Sequence, residues 1–260
     1  MKSQAVGRYL PFSLHRRMVA DMLYFGKRVP SVPVQRVMHL ASLRDARAAM
    51  SSPRISWTVL FTKAFALLAQ EMPVFRQLYV SFPWPRIYEH PCSSPAVSIE
   101  SEYRGETVVF GFILRNPESA SLLELHQRIE RFRTEPIERS GHFRKSLLLA
   151  RLPRFLRLWL LWYLFEVAGA KRARYFGTFG VSVYSALGAE SLHPIAPWTT
   201  TINYGIIAAD GSVPVRLIYD HRLMDGATVA RALGRLEEIL TGPILQELSA
   251  LSRRESPVAA

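Results

Sequence analysis

Cysteine is nearly absent from this chain, which carries Cys92 alone among its 260 residues. One thiol excludes an internal disulfide framework and a cysteine-built zinc site. The histidines give no substitute: His15, His39, His90, His126, His142 and His193 are scattered, without metal-ligand spacing. Acidic residues are scarce too, with 21 Asp and Glu against 33 Lys and Arg, a formal charge of +12. A P-loop, a GxSxG elbow and a dinucleotide fingerprint are missing. So are helix-turn-helix, zinc-finger and RNA-recognition signatures, and nucleic acid is therefore not an expected partner. Met1 to Arg8 lacks the apolar centre of a signal peptide, which makes the cytoplasm the expected location.

What is present suffices for one folded domain over residues 1–260. Apolar residues make up 49% of the chain, enough for a full core at this length. The basic surface suits polyanions such as coenzyme A, an acidic carrier protein or anionic lipid. A merely basic surface is the plainer reading. Ser13 caps a first helix to about Gly26, and Val32 to Leu40 reads as a strand. Ser42 opens a short basic helix, and Ser56 opens a long apolar one that Pro73 stops. Strands are expected near Arg86 to Glu89, Ala96 to Ser101, Glu106 to Leu114 and Thr178 to Val183. Ser121-Leu122-Leu123-Glu124 offers a capping box for another helix. Asp210-Gly211, between Thr199 to Ile207 and Val213 to Tyr219, signals a hairpin.

One stretch reads as chemistry: Tyr219-Asp220-His221-Arg222-Leu223-Met224-Asp225-Gly226. A strand-like run precedes it. Val229, Leu233, Leu236, Ile239 and Leu240 follow at helical spacing. His221 thus stands where a sheet can hold an imidazole in place. An imidazole can take a proton from a thiol or hydroxyl at useful rates. Asp225 at the helix start is favoured by unpaired amides and the helix dipole, a structural part rather than a proton carrier.

His221-x-x-x-Asp225-Gly226, extended by Asp220 and Arg222, resembles the signature of the dihydrolipoyl acyltransferase catalytic domain. That family forms the cores of 2-oxo acid dehydrogenase complexes and shares a fold with chloramphenicol acetyltransferase. Pro11 to Met22 resembles its opening helix, Trp57 to Pro73 its long apolar helix, and Val108 to Arg131 its strand, turn and helix. Gly177-Thr178-Phe179-Gly180-Val181-Ser182 is similar to the segment carrying its hydroxyl. Val183, Tyr184 and Ser185 depart from the family's asparagine, leucine and glycine, leaving Ser185 as an alternative hydroxyl.

The resemblance implies an α/β two-layer fold, a mixed sheet covered by helices, with the active site at a subunit interface. It implies a trimer or a larger shell. Acyl transfer would run between a coenzyme A or carrier-protein thioester and a thiol, hydroxyl or amine, with no metal. His221 would be the general base and Ser182 the donor to the oxyanion. Asp225 would pair with Arg16, and Gly226 would let the helix start approach closely. A family member normally has a lipoyl domain before this one, and this chain has no room for it, so a core served by another chain's lipoyl domain is an alternative. A non-catalytic scaffold of the same fold is a second.

Residues 140–176 break the resemblance with an apolar, basic helical insert. Its densest apolar run, Leu158 to Phe165, is too short to span a bilayer. Arg151, Arg154, Arg157, Lys171, Arg172 and Arg174 surround it. Three readings fit: a helix lying at a membrane surface, at the inner face; an acyl-pocket wall carrying Trp159, Trp162 and Phe165; or an ordinary core or subunit-contact helix.

Overall fold

The computed structural model describes residues 7–50, 53–183 and 188–255. The N-terminal helix α1 (Leu14–Gly26) starts at Ser13, whose Oγ accepts from the Arg16 amide at 3.2 Å. Strand β1 (Ser31–His39) and the short α2 (Ala41–Ala48) follow. Helix α3 (Trp57–Glu71), capped by Ser56, is buried along most of its length. A 3-10 turn leads into β2 (Gln77–Val80), which forms a separate two-stranded sheet with β3 (Arg86–Glu89). β4 (Ala96–Tyr103) and β5 (Glu106–Ile113) form a hairpin, and α4 (Leu122–Thr134) follows. Its cap is Ser121, accepting from the Glu124 amide at 3.2 Å.

The insert resolves into three helices, α5 (Gly141–Arg151), α6 (Arg154–Glu166) and α7 (Gly169–Phe176). Then come the two-residue β6 (Gly180–Val181), β7 (Thr200–Tyr204), β8 (Ser212–Asp220) and α8 (Gly226–Ile239). A π-helical turn around Pro243 passes the chain into α9 (Leu245–Glu255).

The main sheet is mixed and six-stranded, in the order β1-β8-β7-β6-β4-β5. β6 runs parallel to both neighbours, and every other pairing is antiparallel. Val213, Val215 and Leu217 alternate along β8 and bury one face completely, as a period of two requires. The buried faces of α3 and α8 join that core. Lys63 in α3 is buried and forms an ion pair with Glu247 of α9.

α6 is attached differently. Its buried stripe is Arg157, Leu161 and Phe165, one residue per turn. Leu161 and Phe165 form a second cluster with Phe25 of α1, whose ring stacks on Phe165 at 5.1 Å. Arg157 pairs with the buried Asp21 of α1 and donates to the Leu152 carbonyl at 3.0 Å. Among the described residues, no helix is long and apolar enough to cross a membrane.

Candidate active site

The turn after β8 is fixed by its backbone and by a buried charge. The Asp220 amide donates to Thr199 O at 2.8 Å, and the His221 amide donates to Pro30 O at 3.1 Å. Asp220 is 1% exposed. Its carboxylate accepts from Arg222 Nε at 2.9 Å, from a terminal nitrogen of the same guanidinium at 2.6 Å, and from the Arg222 amide at 3.0 Å. That guanidinium lies 4.1 Å from the centre of the Tyr79 ring.

Arg172 of α7 is buried alongside and donates to Tyr79 O and Pro197 O at 2.9 and 2.7 Å. Burial pulls its pKa down to about 10, while Glu166 and Asp220 oppose that and Arg222 adds to it. It therefore stays charged at neutral pH. The result is a braced turn that presents the His221 ring outward, half-exposed and 5.6 Å from the Tyr219 ring.

Asp225 is the N-cap residue of α8, though its side chain makes no capping bond. Its carboxylate stands 3.8 Å from His221 Nδ1 and is 84% exposed, a separation and exposure at which an ion pair contributes little. Arg16 does not reach it within one chain; its Nε donates to Glu106 Oε1 at 3.2 Å instead. A Cβ at Gly226 would meet only the Tyr219 hydroxyl, at an ordinary 3.5 Å. The expected close approach is thus absent there.

Tight approaches do occur in the Ser182 segment. Gly177 has φ +84, and a Cβ on it would fall 2.4 Å from Ser94 O. Thr178 locks that crossing, with its amide donating to Ser94 O at 2.8 Å and its Oγ1 accepting from the Ser94 amide at 3.0 Å. Phe179 is fully buried against Phe65. A Cβ on Gly180 would collide with the Trp198 ring at 2.5 Å. The buried Ser182 follows, its amide donating to Ile202 O and its carbonyl accepting from Asn203 Nδ2 at 2.6 Å.

Ser182 borders a cavity of about 380 Å³, shared with Thr58, Arg133 and Tyr204. Burial raises the Tyr204 pKa to about 12, and its hydroxyl lies 3.1 Å from Thr58 Oγ1. The alternative hydroxyl, Ser185, lies outside the described residues.

The structure does not bring Ser182 and His221 together within one chain. The pairing Asn203↔Arg216 places Ser182 level with Arg216, two strands away from β8, while His221 lies five residues further along. At about 3.4 Å per residue and about 4.8 Å per strand, the two are on the order of 20 Å apart.

Trp159, Trp162 and Phe165 line neither the Ser182 cavity nor the larger one beside it. Trp159 is 60% exposed, Trp162 packs edge-on against Phe82, and Phe165 fills the cluster on α1. The larger cavity, about 500 Å³, lies between α1, α5, α7 and the outer face of β4 and β5. Sequence reasoning missed it, because its walls come from six separate segments.

No known family model and no curated protein matches the sequence. Solved structures do match over nearly the whole chain. A probable dihydrolipoamide acetyltransferase from Listeria monocytogenes 4b F2365 is 18% identical with a TM-score of 0.65, over 90% of this chain and 94% of its own. The Azotobacter vinelandii dihydrolipoamide acetyltransferase is 19% identical with a TM-score of 0.66, over 94% and 96%. In that enzyme a serine, a histidine and an asparagine four residues beyond it were investigated for roles in the catalytic mechanism. The cubic core of a pyruvate dehydrogenase multienzyme complex is 20% identical with a TM-score of 0.63, over 94% and 96%. This chain therefore carries the fold of the dihydrolipoamide acetyltransferase catalytic cores.

Proposed function

We propose that the protein is an acyltransferase whose working unit is a trimer, with His221 of one protomer facing the Ser182 cavity of the next. His221 takes the proton of an acceptor thiol, hydroxyl or amine. The acceptor then attacks the thioester carbonyl of acyl-coenzyme A or an acylated carrier. Ser182 donates a hydrogen bond to the oxyanion of the tetrahedral intermediate. Collapse expels the thiolate, which recovers the proton from the imidazolium. A positioned base contributes about 10²- to 10⁴-fold. One oxyanion donor is worth about 2.7 to 4 kcal/mol. Asp225 stands after His221 at the spacing of the Azotobacter asparagine, and any pairing of it with Arg16 would have to come from a neighbouring protomer, since Arg16 pairs with Glu106 in its own chain.

The observation that carries this reading is the pair of rigidly braced segments at opposite ends of one sheet. Each is complete in its own chain, and each lacks the other's group. A trimer supplies it. His221→Ala is expected to abolish transfer from acetyl-coenzyme A while leaving the size-exclusion profile unchanged. Turnover like that of the unmodified protein would defeat the mechanism.

Within this reading, a core that receives lipoyl groups from a separate chain would acetylate free dihydrolipoamide, and a transferase for another acceptor would not. The outward face of α6 favours a second reading, a scaffold at an anionic membrane surface. Phe155 and Trp159 are exposed there beside Arg151 and Arg154.

A further inference from the structure

The cavity of about 500 Å³ has an unusual electrical character for so basic a protein. No Asp or Glu lines it among the described residues. Its one arginine, Arg16, is paired with Glu106. Burial, the largest influence on both, holds the pKa values of His15 and His142 below the ordinary histidine value, so both rings are neutral at pH 7. Glu106 opposes this at His15 while Arg16 adds to it, and Lys145 adds to it at His142. The floor and sides are apolar, with Met18, Met22, Val109, Ile113, Phe176 and Trp198 among them. Such a space rejects phosphates and carboxylates, which would lose hydration there without a counter-charge.

The cavity also adjoins the Ser182 cavity, because Ser98 and Val109 border both. Ser98 follows Val97, the strand partner of Val181, and so stands beside Ser182. Two of the walls come from α5 and α7, through Ser146 and Tyr175, inside the segment that departs from the dihydrolipoyl acyltransferase pattern. An acetyl group would leave nearly all of this apolar volume unfilled.

We infer that the cavity receives the apolar tail of a medium- or long-chain acyl group whose thioester carbonyl lies at Ser182. The inference rests on the transferase reading and names its donor class. Each methylene buried in the cavity tightens binding about fourfold.

The test is calorimetric titration of the His221→Ala chain, in which turnover is expected to be abolished, with decanoyl- and acetyl-coenzyme A. The decanoyl thioester is expected to bind on the order of a hundredfold tighter or more. Adding Ser146→Phe, which fills the cavity from α5, should cut that preference on the order of fiftyfold, the loss of about three buried methylenes. Should that variant fail to fold, Gly111→Val carries the same test, since a Cβ there meets Ala96 at an ordinary 3.5 Å. Equal affinity for the two thioesters, or a preference surviving in a folded cavity-filling variant, overturns the assignment. 1-Decanol, which has no thioester, separates the two ideas. Decanol binding that Ser146→Phe blocks, in a protein without transfer activity, upholds the cavity and removes the transferase. Acetyl transfer by the unmodified protein without chain preference or decanol binding does the reverse.

Discussion

At Asp220 a fully buried carboxylate is held by Arg222 and faces the positive charge of Arg172. Removing one member of such a cluster strands the others, at a typical cost of about 3 kcal/mol or more. Asp220→Ala is therefore expected to lower stability by about 3 kcal/mol in urea unfolding, well beyond what Asp225→Ala costs on its exposed site. A loss under about 1 kcal/mol would mean that the arginines find other partners. The sequence shows the His221 motif but not this division of labour. Asp220 and Asp225 look alike as letters, and only burial separates the brace from the exposed cap.

His15, His90 and His142 add a pH dependence of known sign. Burial is the first cause of lowering in each, so the folded state binds protons less readily than the unfolded one. Their contribution to stability is full above the unfolded value of about 6.5 and is lost as pH falls toward the folded values. Thermal melts should show the midpoint dropping from pH 7 to pH 5.5, with a shallower drop in His15→Gln, His142→Gln. An unchanged slope in that double variant would remove the two histidines from the account.

At the scale of elements, helix boundaries are well marked wherever a side-chain oxygen stops the chain. Ser13, Ser56 and Ser121 cap α1, α3 and α4 as the sequence indicates. Strands in the second half are less legible. The stretch from Thr178 to Val183 shortens to Gly180–Val181, because Gly177 and Trp198 fix the path rather than strand propensity. The insert is the least legible element. A run of tryptophans and arginines reads alike for membrane, pocket and core, and the buried Arg157–Asp21 pair that seats α6 on α1 has no local signal 136 residues apart.

The outward face of α6 gives a prediction at the same scale. Phe155 is 71% and Trp159 60% exposed, and aromatic residues beside arginines suit the headgroup layer of an anionic bilayer. In sedimentation with vesicles containing phosphatidylserine, the protein is expected to co-pellet at low salt, and Phe155→Ser, Trp159→Ser to stay in solution. If the unmodified protein ignores these vesicles while its oligomer dissociates on the same substitutions, α6 is a subunit contact.

For the whole molecule, the separation of on the order of 20 Å between Ser182 and His221 turns a question about mechanism into one about counting. In the proposed cyclic trimer each site would take the imidazole from one chain and the hydroxyl from the next. A protomer with Ser182→Ala still offers an intact His221, and one with His221→Ala still offers an intact Ser182. Refolded together in equal amounts, they form mixed trimers in which about a quarter of the sites receive both groups by random assembly. Transfer in the mixture should then approach about a quarter of the unmodified rate, although each parent alone falls by orders of magnitude. If both groups acted within one chain, no mixed site could be complete and the mixture would show only the average of its parents. That result would leave the fold untouched and end the shared-site mechanism, since nothing else on the sheet can carry His221 to the Ser182 cavity of its own chain.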